Sequence, residues 1–75
     1  MKVKFFGVDF GYTKETDYCN CTFENVTEYN TADLVFTEVC NIDLRTDPVC
    51  IEFFGTSDYE YFDRYTFDKI EIIKE

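Results

Sequence analysis

The sequence predicts a mainly β protein: a small antiparallel sheet of about four to five strands, with at most one or two short helices. An α+β fold is the alternative. Apolar residues recur at every second position in several segments, and Val, Phe, Thr and Ile, which favour strands, are abundant. The chain has 75 residues and forms a single domain over residues 1–75, close to the size at which one apolar core only just offsets chain entropy.

The first predicted strand covers residues 2–10. Phe6, Val8 and Phe10 share one face in a pattern of period two. Val3 and Phe5 are out of phase with that set, which predicts a bulge near Phe5–Phe6, since one extra residue reverses the faces of a strand.

Residues 5–14, FFGVDFGYTK, pass from an apolar strand into a polar turn. The order of Asp9, Gly11, Thr13 and Lys14 resembles the first phosphate loop of the actin, heat-shock-chaperone and sugar-kinase ATPases. In that family an Asp ends a strand, and a Thr and a Lys face nucleotide phosphate. Those ATPases close two large lobes over the nucleotide, which so short a chain cannot form. The prediction for this segment is therefore a β-turn near Gly11.

The middle of the chain predicts two further strand segments. In residues 17–29, cysteine and phenylalanine alternate with polar residues. Residues 34–44 alternate in the same way, with an interruption at Glu38. That segment also fits helical spacing from Val35, with Thr31 as an N-cap. The abundance of β-branched and aromatic residues favours a strand.

The last third of the chain predicts a turn and two or three strands. RTDPVC predicts a turn at Pro48, after which residues 49–54 alternate as a strand. Capping-box spacing from Ser57 makes a short helix through residues 58–64 an alternative to a strand. Residues 66–74 predict a final strand with two isoleucines on one face.

Charge is the most unusual property of the composition. Sixteen acidic residues against seven basic ones give a formal net charge of −9, with no histidine. Residues 1–14 carry a net charge of +2, residues 15–44 hold seven acids and no base, and residues 45–75 carry −4. Because 45% of the residues are hydrophobic and 20% are aromatic, we expect a folded chain that displays its charge as a fixed surface field.

Four cysteines raise the question of metal binding or disulfides. Cys19 and Cys21 lie in a strand pattern, and Cys40 and Cys50 follow at wider spacing. Core thiols are the preferred interpretation, with structural zinc and disulfides as alternatives. The chain has no histidine and one serine, and no base accompanies a thiol. We therefore expect neither an enzyme nor a cofactor.

A binding role through the surface remains. Alternate residues of a strand lie about 6.6–6.8 Å apart on one face, so rows of fixed carboxylates can imitate the charges of a nucleic-acid backbone. Tyrosines can add anchors, because Tyr is enriched where interfaces gain most energy. The predicted partner-binding residues are Glu15, Asp17, Glu24, Glu28, Asp33, Glu38, Asp43, Asp58, Tyr59, Glu60 and Tyr61.

The leading hypothesis is a small acidic inhibitor that mimics nucleic acid and occupies the site of a basic nucleic-acid-binding host enzyme. In general character the chain resembles the small acidic proteins that phages make against bacterial defence, such as anti-CRISPR, anti-restriction or nuclease-inhibitor proteins. An acidic surface disfavours nucleic acid and anionic membranes as direct ligands. The N-terminal residues have no signal-peptide pattern, so the expected location is the bacterial cytoplasm. The alternative is a homodimeric interaction or structural module without mimicry, its acidic faces serving solubility.

Overall fold

The structure is a computed structural model that describes residues 1–9, 11, 20–55 and 59–74. Within these residues the protein is mainly β and contains no α-helix. The strands are β1 Lys2–Asp9, β2 Cys21–Glu24, β3 Thr31–Phe36, β4 Val39–Asp43, β5 Val49–Phe53, β6 Tyr59–Phe62 and β7 Lys69–Ile73. One 3₁₀ turn, Arg64–Thr66, precedes β7.

The predicted fold class is confirmed, and the described strands divide between two antiparallel sheets. The larger sheet has the order β2-β3-β1-β7 and the smaller one has the order β4-β5-β6. The chain passes from the larger sheet to the smaller one at Glu38. The φ of this residue, 59°, lies in the left-handed region and interrupts the alternation of inward and outward side chains. The predicted interruption at Glu38 is therefore a sheet boundary, and residues 34–44 form strands rather than a helix.

The two sheets pack against each other through their apolar faces. The ring centroids of Phe5 in the larger sheet and Phe62 in the smaller one are 4.7 Å apart. Phe36 in the larger sheet also lies 5.9 Å from Phe53 and 5.6 Å from Phe62. Full burial of one such side chain stabilises the fold by about 1.5–3 kcal/mol. The buried core consists of Val3, Phe5, Val8, Ala32, Leu34, Phe36, Val39, Val49, Ile51, Phe53 and Phe62.

The bulge predicted in β1 is confirmed. Phe5 pairs with Leu34 and Val8 pairs with Ala32, so β1 contains one more residue than β3 between these pairs. Gly7 lies inside the bulge with φ of +62°, a conformation that glycine adopts without strain. The extra residue returns Val8 to the core.

The strand predicted over residues 17–29 is shorter than expected. It is observed only over Cys21–Glu24, and residues 17–19 lie outside the described residues. Asn25 and Asn30 have φ of 53° and 59°, and asparagine tolerates this left-handed region better than most residues. They reverse the chain between β2 and β3, which begins at Thr31 instead of residue 34.

The strands of the last third agree with the sequence pattern. β5 buries every second residue, as predicted. The segment predicted as a helix or strand forms β6, and its predicted cap Ser57 lies outside the described residues. Ile70 and Ile72 pair with core residues of β1 and so lie on one face, as expected. Ile70 packs against the core, whereas Ile72 in this edge strand is 40% exposed. The predicted turn near Gly11 is confirmed by a 3.0 Å hydrogen bond from its N–H to Asp9 Oδ1.

Candidate functional site: the acidic tyrosine face

The outer face of the three-stranded sheet is the candidate site. Because β5 buries alternate residues, Cys50 and Glu52 point away from the core. Cross-strand partners share a face, and Cys50 pairs with Asp43 and Tyr61, while Glu52 pairs with Asn41 and Tyr59. We call these six residues the acidic tyrosine face: Asn41, Asp43, Cys50, Glu52, Tyr59 and Tyr61.

Two exposed tyrosines dominate this face. Tyr59 is 47% exposed and Tyr61 is 61% exposed. Their ring centroids are 6.4 Å apart, and the ring planes are tilted by 31°. The Tyr59 hydroxyl donates a hydrogen bond of 3.3 Å to Glu52 Oε1. Each ring therefore lies on solvent-facing strand surface with apolar area open to a partner.

Both tyrosine hydroxyls are held in their protonated form. The negative charge of Glu52, followed by its hydrogen bond, raises the pKa of Tyr59 above the ordinary value. A hydrogen bond with Cys50, followed by the charge of that group, raises the pKa of Tyr61. At neutral pH the two rings are therefore uncharged hydrogen-bonding groups beside carboxylates.

The charge of this face is negative. β4, β5 and β6, in which every residue is described, contain no lysine or arginine. Arg45 lies just beyond β4, with Nε 3.5 Å from Asp43 Oδ1 and a side chain that is 92% exposed. Its contact with Asp43 is weak because both groups are solvated. Glu52 has no cation beside it among the described ion pairs.

The outer face of the four-stranded sheet has a different charge pattern. Lys4 Nζ lies 3.1 Å from Glu24 Oε1 and 4.0 Å from Asp33 Oδ2. The pKa of Asp33 is lowered chiefly by the hydrogen bond from Asn25, then by the Gly7 N–H and by the charge of Lys4. Glu24 and Asp33 are cross-strand partners. A lysine from β1 therefore neutralises part of the acidic run of residues 15–44.

The same outer face carries a second feature, which corrects the expectation for Phe6. The sequence pattern places Phe6 on the face of Val8, but the bulge turns it to the opposite side, half-buried. Its ring lies 4.7 Å from Lys4 Nζ and 4.5 Å from Lys69 Nζ. These are cation–π distances. The two lysines add positive charge to the outer face of the larger sheet and none to the acidic tyrosine face.

The predicted partner-binding residues do not all lie on one surface. Glu28 is predicted on a strand but lies in the turn after β2, and Glu38 lies at the sheet boundary. Glu60 pairs with core residue Ile51 and so faces the inner side of β6. The acidic tyrosine face includes Asp43, Tyr59 and Tyr61, whereas Glu24 and Asp33 lie on the other sheet. The remaining predicted residues, Glu15, Asp17 and Asp58, lie outside the described residues.

Three residues of the face were missed by sequence reasoning. Asn41, Cys50 and Glu52 were not predicted as partner-binding residues. The signal for Cys50 and Glu52 was the alternation of residues 49–54, which places both opposite the core. Asn41 could not be found in this way, because a bulge between Val39 and Asn41 shifts the register of β4.

The described cysteines have different environments. Cys21 packs against the core, as predicted, and burial followed by the charge of Glu60 raises the pKa of its thiol to about 12. Cys40 and Cys50 are half-buried and lie outside the core, while Cys19 is not among the described residues. All three described cysteines are free thiols. In the described part of the chain, no three His, Cys, Asp or Glu residues are grouped to hold a metal.

Comparisons with known proteins identify no relative. No protein-family model matches the chain, and neither the curated proteins nor the solved structures that were searched contain a match. Across the described residues, no helix has the length and apolar character needed to cross a membrane.

Proposed function

We propose that this protein is a small acidic inhibitor that binds a basic nucleic-acid-binding enzyme and occupies the site that would hold nucleic acid. The observation that carries this proposal is the acidic tyrosine face, where Asp43 and Glu52 accompany two exposed tyrosines and no strand residue is a cation.

The geometry of the face supports such mimicry. Asp43 and Glu52 are diagonal neighbours in the β4–β5 ladder, a relation in which residues are about 7–8 Å apart. The sheet beneath them is fixed by the packed aromatic core, so the carboxylates need little ordering when a partner binds. A groove lined with lysine and arginine would accept these carboxylates in place of phosphates.

The net charge supports the same role at longer range. A charge of −9 attracts a cationic partner before contact, raises the association rate and disfavours binding to polyanions. We place the protein in the phage anti-defence class, acting in the bacterial cytoplasm on a CRISPR effector, a restriction enzyme, a glycosylase or another nuclease.

Competition for nucleic acid tests the proposal. Labelled DNA is bound in turn to a restriction endonuclease, a DNA glycosylase and a CRISPR nuclease, and its fluorescence anisotropy is followed. Adding a stoichiometric amount of the protein should lower the anisotropy for the enzyme that the protein inhibits. The effect should weaken as salt rises. Combining Asp43→Asn with Glu52→Gln should abolish displacement. Glu71→Gln, on the outer face of β7, is the matched control and should leave displacement intact.

Failure to displace DNA from any of these enzymes would count against the proposal. Displacement that is equally strong at high salt would exclude the electrostatic mechanism.

A homodimeric module is the second candidate, because exposed apolar residues occur in β7 of the larger sheet and directly after β4 and β5 of the smaller one. Leu44 is 42% exposed, Phe54 is 60% exposed and Ile72 is 40% exposed. Residues 41–45 and Ile72 line an open groove of about 400 Å³. Light scattering tests this candidate: a dimer that Leu44→Asp converts to a monomer would support it, and a monomeric parent protein would exclude it.

A further inference from the structure

The two tyrosine rings are spaced so that one cation can contact both. Their centroids are 6.4 Å apart. A cation about 4 Å above the midpoint would lie about 5 Å from each centroid, inside the ~6 Å range of a cation–π interaction. The exposure of Tyr61, 61%, leaves room for such a group.

A carboxylate lies beside the same rings. Glu52 Oε1 accepts the Tyr59 hydroxyl at 3.3 Å, which holds the carboxylate next to the ring. A carboxylate has about four lone-pair positions, so it can accept further hydrogen bonds from a partner. The face therefore combines an aromatic surface with a positioned acceptor.

This combination suits a guanidinium better than an ammonium group. Guanidinium is planar, stacks on aromatic rings, is weakly hydrated and donates hydrogen bonds in a fork that matches a carboxylate. The ammonium of lysine is a compact, strongly hydrated charge that loses more solvation for the same contact. Net negative charge alone would not distinguish the two.

We propose that the acidic tyrosine face selects arginine over lysine side chains on the surface of its protein partner. The inference rests on the proposed function, since it specifies the chemistry of the same site. Glu52 accepts the guanidinium N–H groups, and the rings of Tyr59 and Tyr61 cover its planar surface. The face binds a partner whose nucleic-acid site has arginine at its centre more tightly than a partner whose site has the same charge from lysine.

Peptides of equal length and charge test this selectivity. Calorimetric titration with deca-arginine and deca-lysine at one ionic strength should show tighter binding of the arginine peptide. The ratio should be at most about two- to fivefold for each ring engaged, which is the full contribution of an exposed cation–π contact. Tyr61→Leu and Glu52→Gln should each reduce the ratio of the two affinities. Tyr61→Phe keeps the ring and should keep most of the ratio.

Matched controls remove an equal group elsewhere on the surface. Tyr65→Leu removes a tyrosine that is 87% exposed in the 3₁₀ turn, and Glu71→Gln removes one charge from the other sheet; neither should change the ratio. Equal affinity of the parent protein for both peptides would overturn the inference, as would a ratio that persists in Tyr61→Leu. DNA displacement without arginine preference refutes this inference alone, whereas arginine preference without displacement refutes the proposed function alone.

Discussion

The hydroxyl of Tyr59 and the carboxylate of Glu52 form a hydrogen bond of 3.3 Å across the β5–β6 ladder. The bond joins β6, at the edge of the smaller sheet, to the central strand of that sheet. The negative charge of Glu52 also opposes formation of a phenolate at Tyr59, which raises the pKa of Tyr59. One contact thus fixes the position of both groups on the acidic tyrosine face and keeps the Tyr59 hydroxyl protonated.

Glu52→Gln should lower the pKa of Tyr59 toward the ordinary tyrosine value. The amide removes the negative charge that disfavours the phenolate, and that charge is the largest cause of the raised pKa. NMR titration of ¹³C-labelled tyrosine rings between neutral and strongly alkaline pH measures this change. Glu71→Gln removes the same charge from the other sheet and should leave the Tyr59 titration unchanged. An unchanged Tyr59 curve in Glu52→Gln would show that the contact is absent in solution.

Phe62→Ala should strongly destabilise the fold. Phe62 is 4% exposed, and its ring contacts Phe5 and Phe36 in the opposite sheet. Removal of a buried phenylalanine side chain costs about 3–5 kcal/mol through lost transfer energy and a residual cavity, a large share of the ~5–15 kcal/mol that stabilises a typical domain. Urea unfolding followed by circular dichroism measures the loss.

Phe62→Leu should cost less than Phe62→Ala, and it provides a folded variant if the alanine protein does not fold. Tyr65→Ala is the surface control, because Tyr65 is 87% exposed and such sites usually change stability by less than about 0.5 kcal/mol. Equal losses in Phe62→Ala and Tyr65→Ala would contradict a core that joins the two sheets.

Local patterns in the sequence predicted the strands, whereas the charge distribution depended on tertiary pairing. The alternation of residues 49–54 is sufficient for β5, since a period of two follows from strand geometry alone. Lys4 lies 20 positions from Glu24 in sequence, so their contact follows only once β1, β3 and β2 are placed side by side. The stretch of residues 15–44, which has acidic residues and no basic ones, therefore did not predict which surface of the folded protein keeps its negative charge.

The acidic tyrosine face was only partly predictable for the same reason. Tyr59 and Tyr61 share a face because they are two residues apart on a strand. Their placement over Glu52 and Cys50 depends on the β5–β6 register. The division into two sheets depends on Glu38, where the sequence shows an interruption but not the change of direction that a left-handed residue produces.

Cys21 should resist alkylation at moderately alkaline pH. Its thiol has a pKa of about 12, against an ordinary value of 9.0, chiefly because burial disfavours the thiolate. Since the thiolate is the reactive form, iodoacetamide at about pH 8.5, near the ordinary pKa of a free thiol, should modify Cys21 much more slowly in the folded protein than in urea. Peptide mass spectrometry locates the adduct. Equal rates in folded and unfolded protein would contradict the packing of the half-buried Cys21 side chain against the core.

The raised pKa of Cys21 also predicts a loss of stability at alkaline pH. Between pH 9.0 and about 12 the folded state retains a proton that the unfolded state has released. Fewer protons bound to the unfolded state means that the free energy of unfolding falls as pH rises through this range. Urea midpoints at about pH 8 and about pH 10, on either side of the unfolded-state pKa, measure the effect. Cys21→Val removes this titration and should show a smaller fall than the parent protein; an identical fall would exclude a contribution from Cys21.

Gly7→Ala should destabilise the bulge of β1 in two separable ways. A left-handed conformation costs an L-residue roughly 1–2 kcal/mol, and Gly7 has φ of +62°. A Cβ at this position would also lie 2.9 Å from Asp68 Cγ and closer still to its carboxylate oxygen. The Asp68 N–H is bonded to Phe6 O at 2.8 Å, which holds the Asp68 backbone in place, so the side chain must rotate to relieve the overlap. The total loss should therefore exceed the conformational cost.

A matched variant and a double variant separate the two contributions to the Gly7→Ala loss. Gly55 has φ of +72°, and apart from its chain neighbours no atom of the described residues lies within 4 Å of a methyl group added there, so Gly55→Ala should show the conformational cost alone. Adding Asp68→Ala to Gly7→Ala should recover the steric part, since it removes the group that the new methyl meets. Urea unfolding of the parent protein, both single glycine variants, Asp68→Ala and the double variant measures the coupling. A Gly7→Ala loss that equals the Gly55→Ala loss, with no recovery in the double variant, would refute the close approach of Asp68 to the bulge.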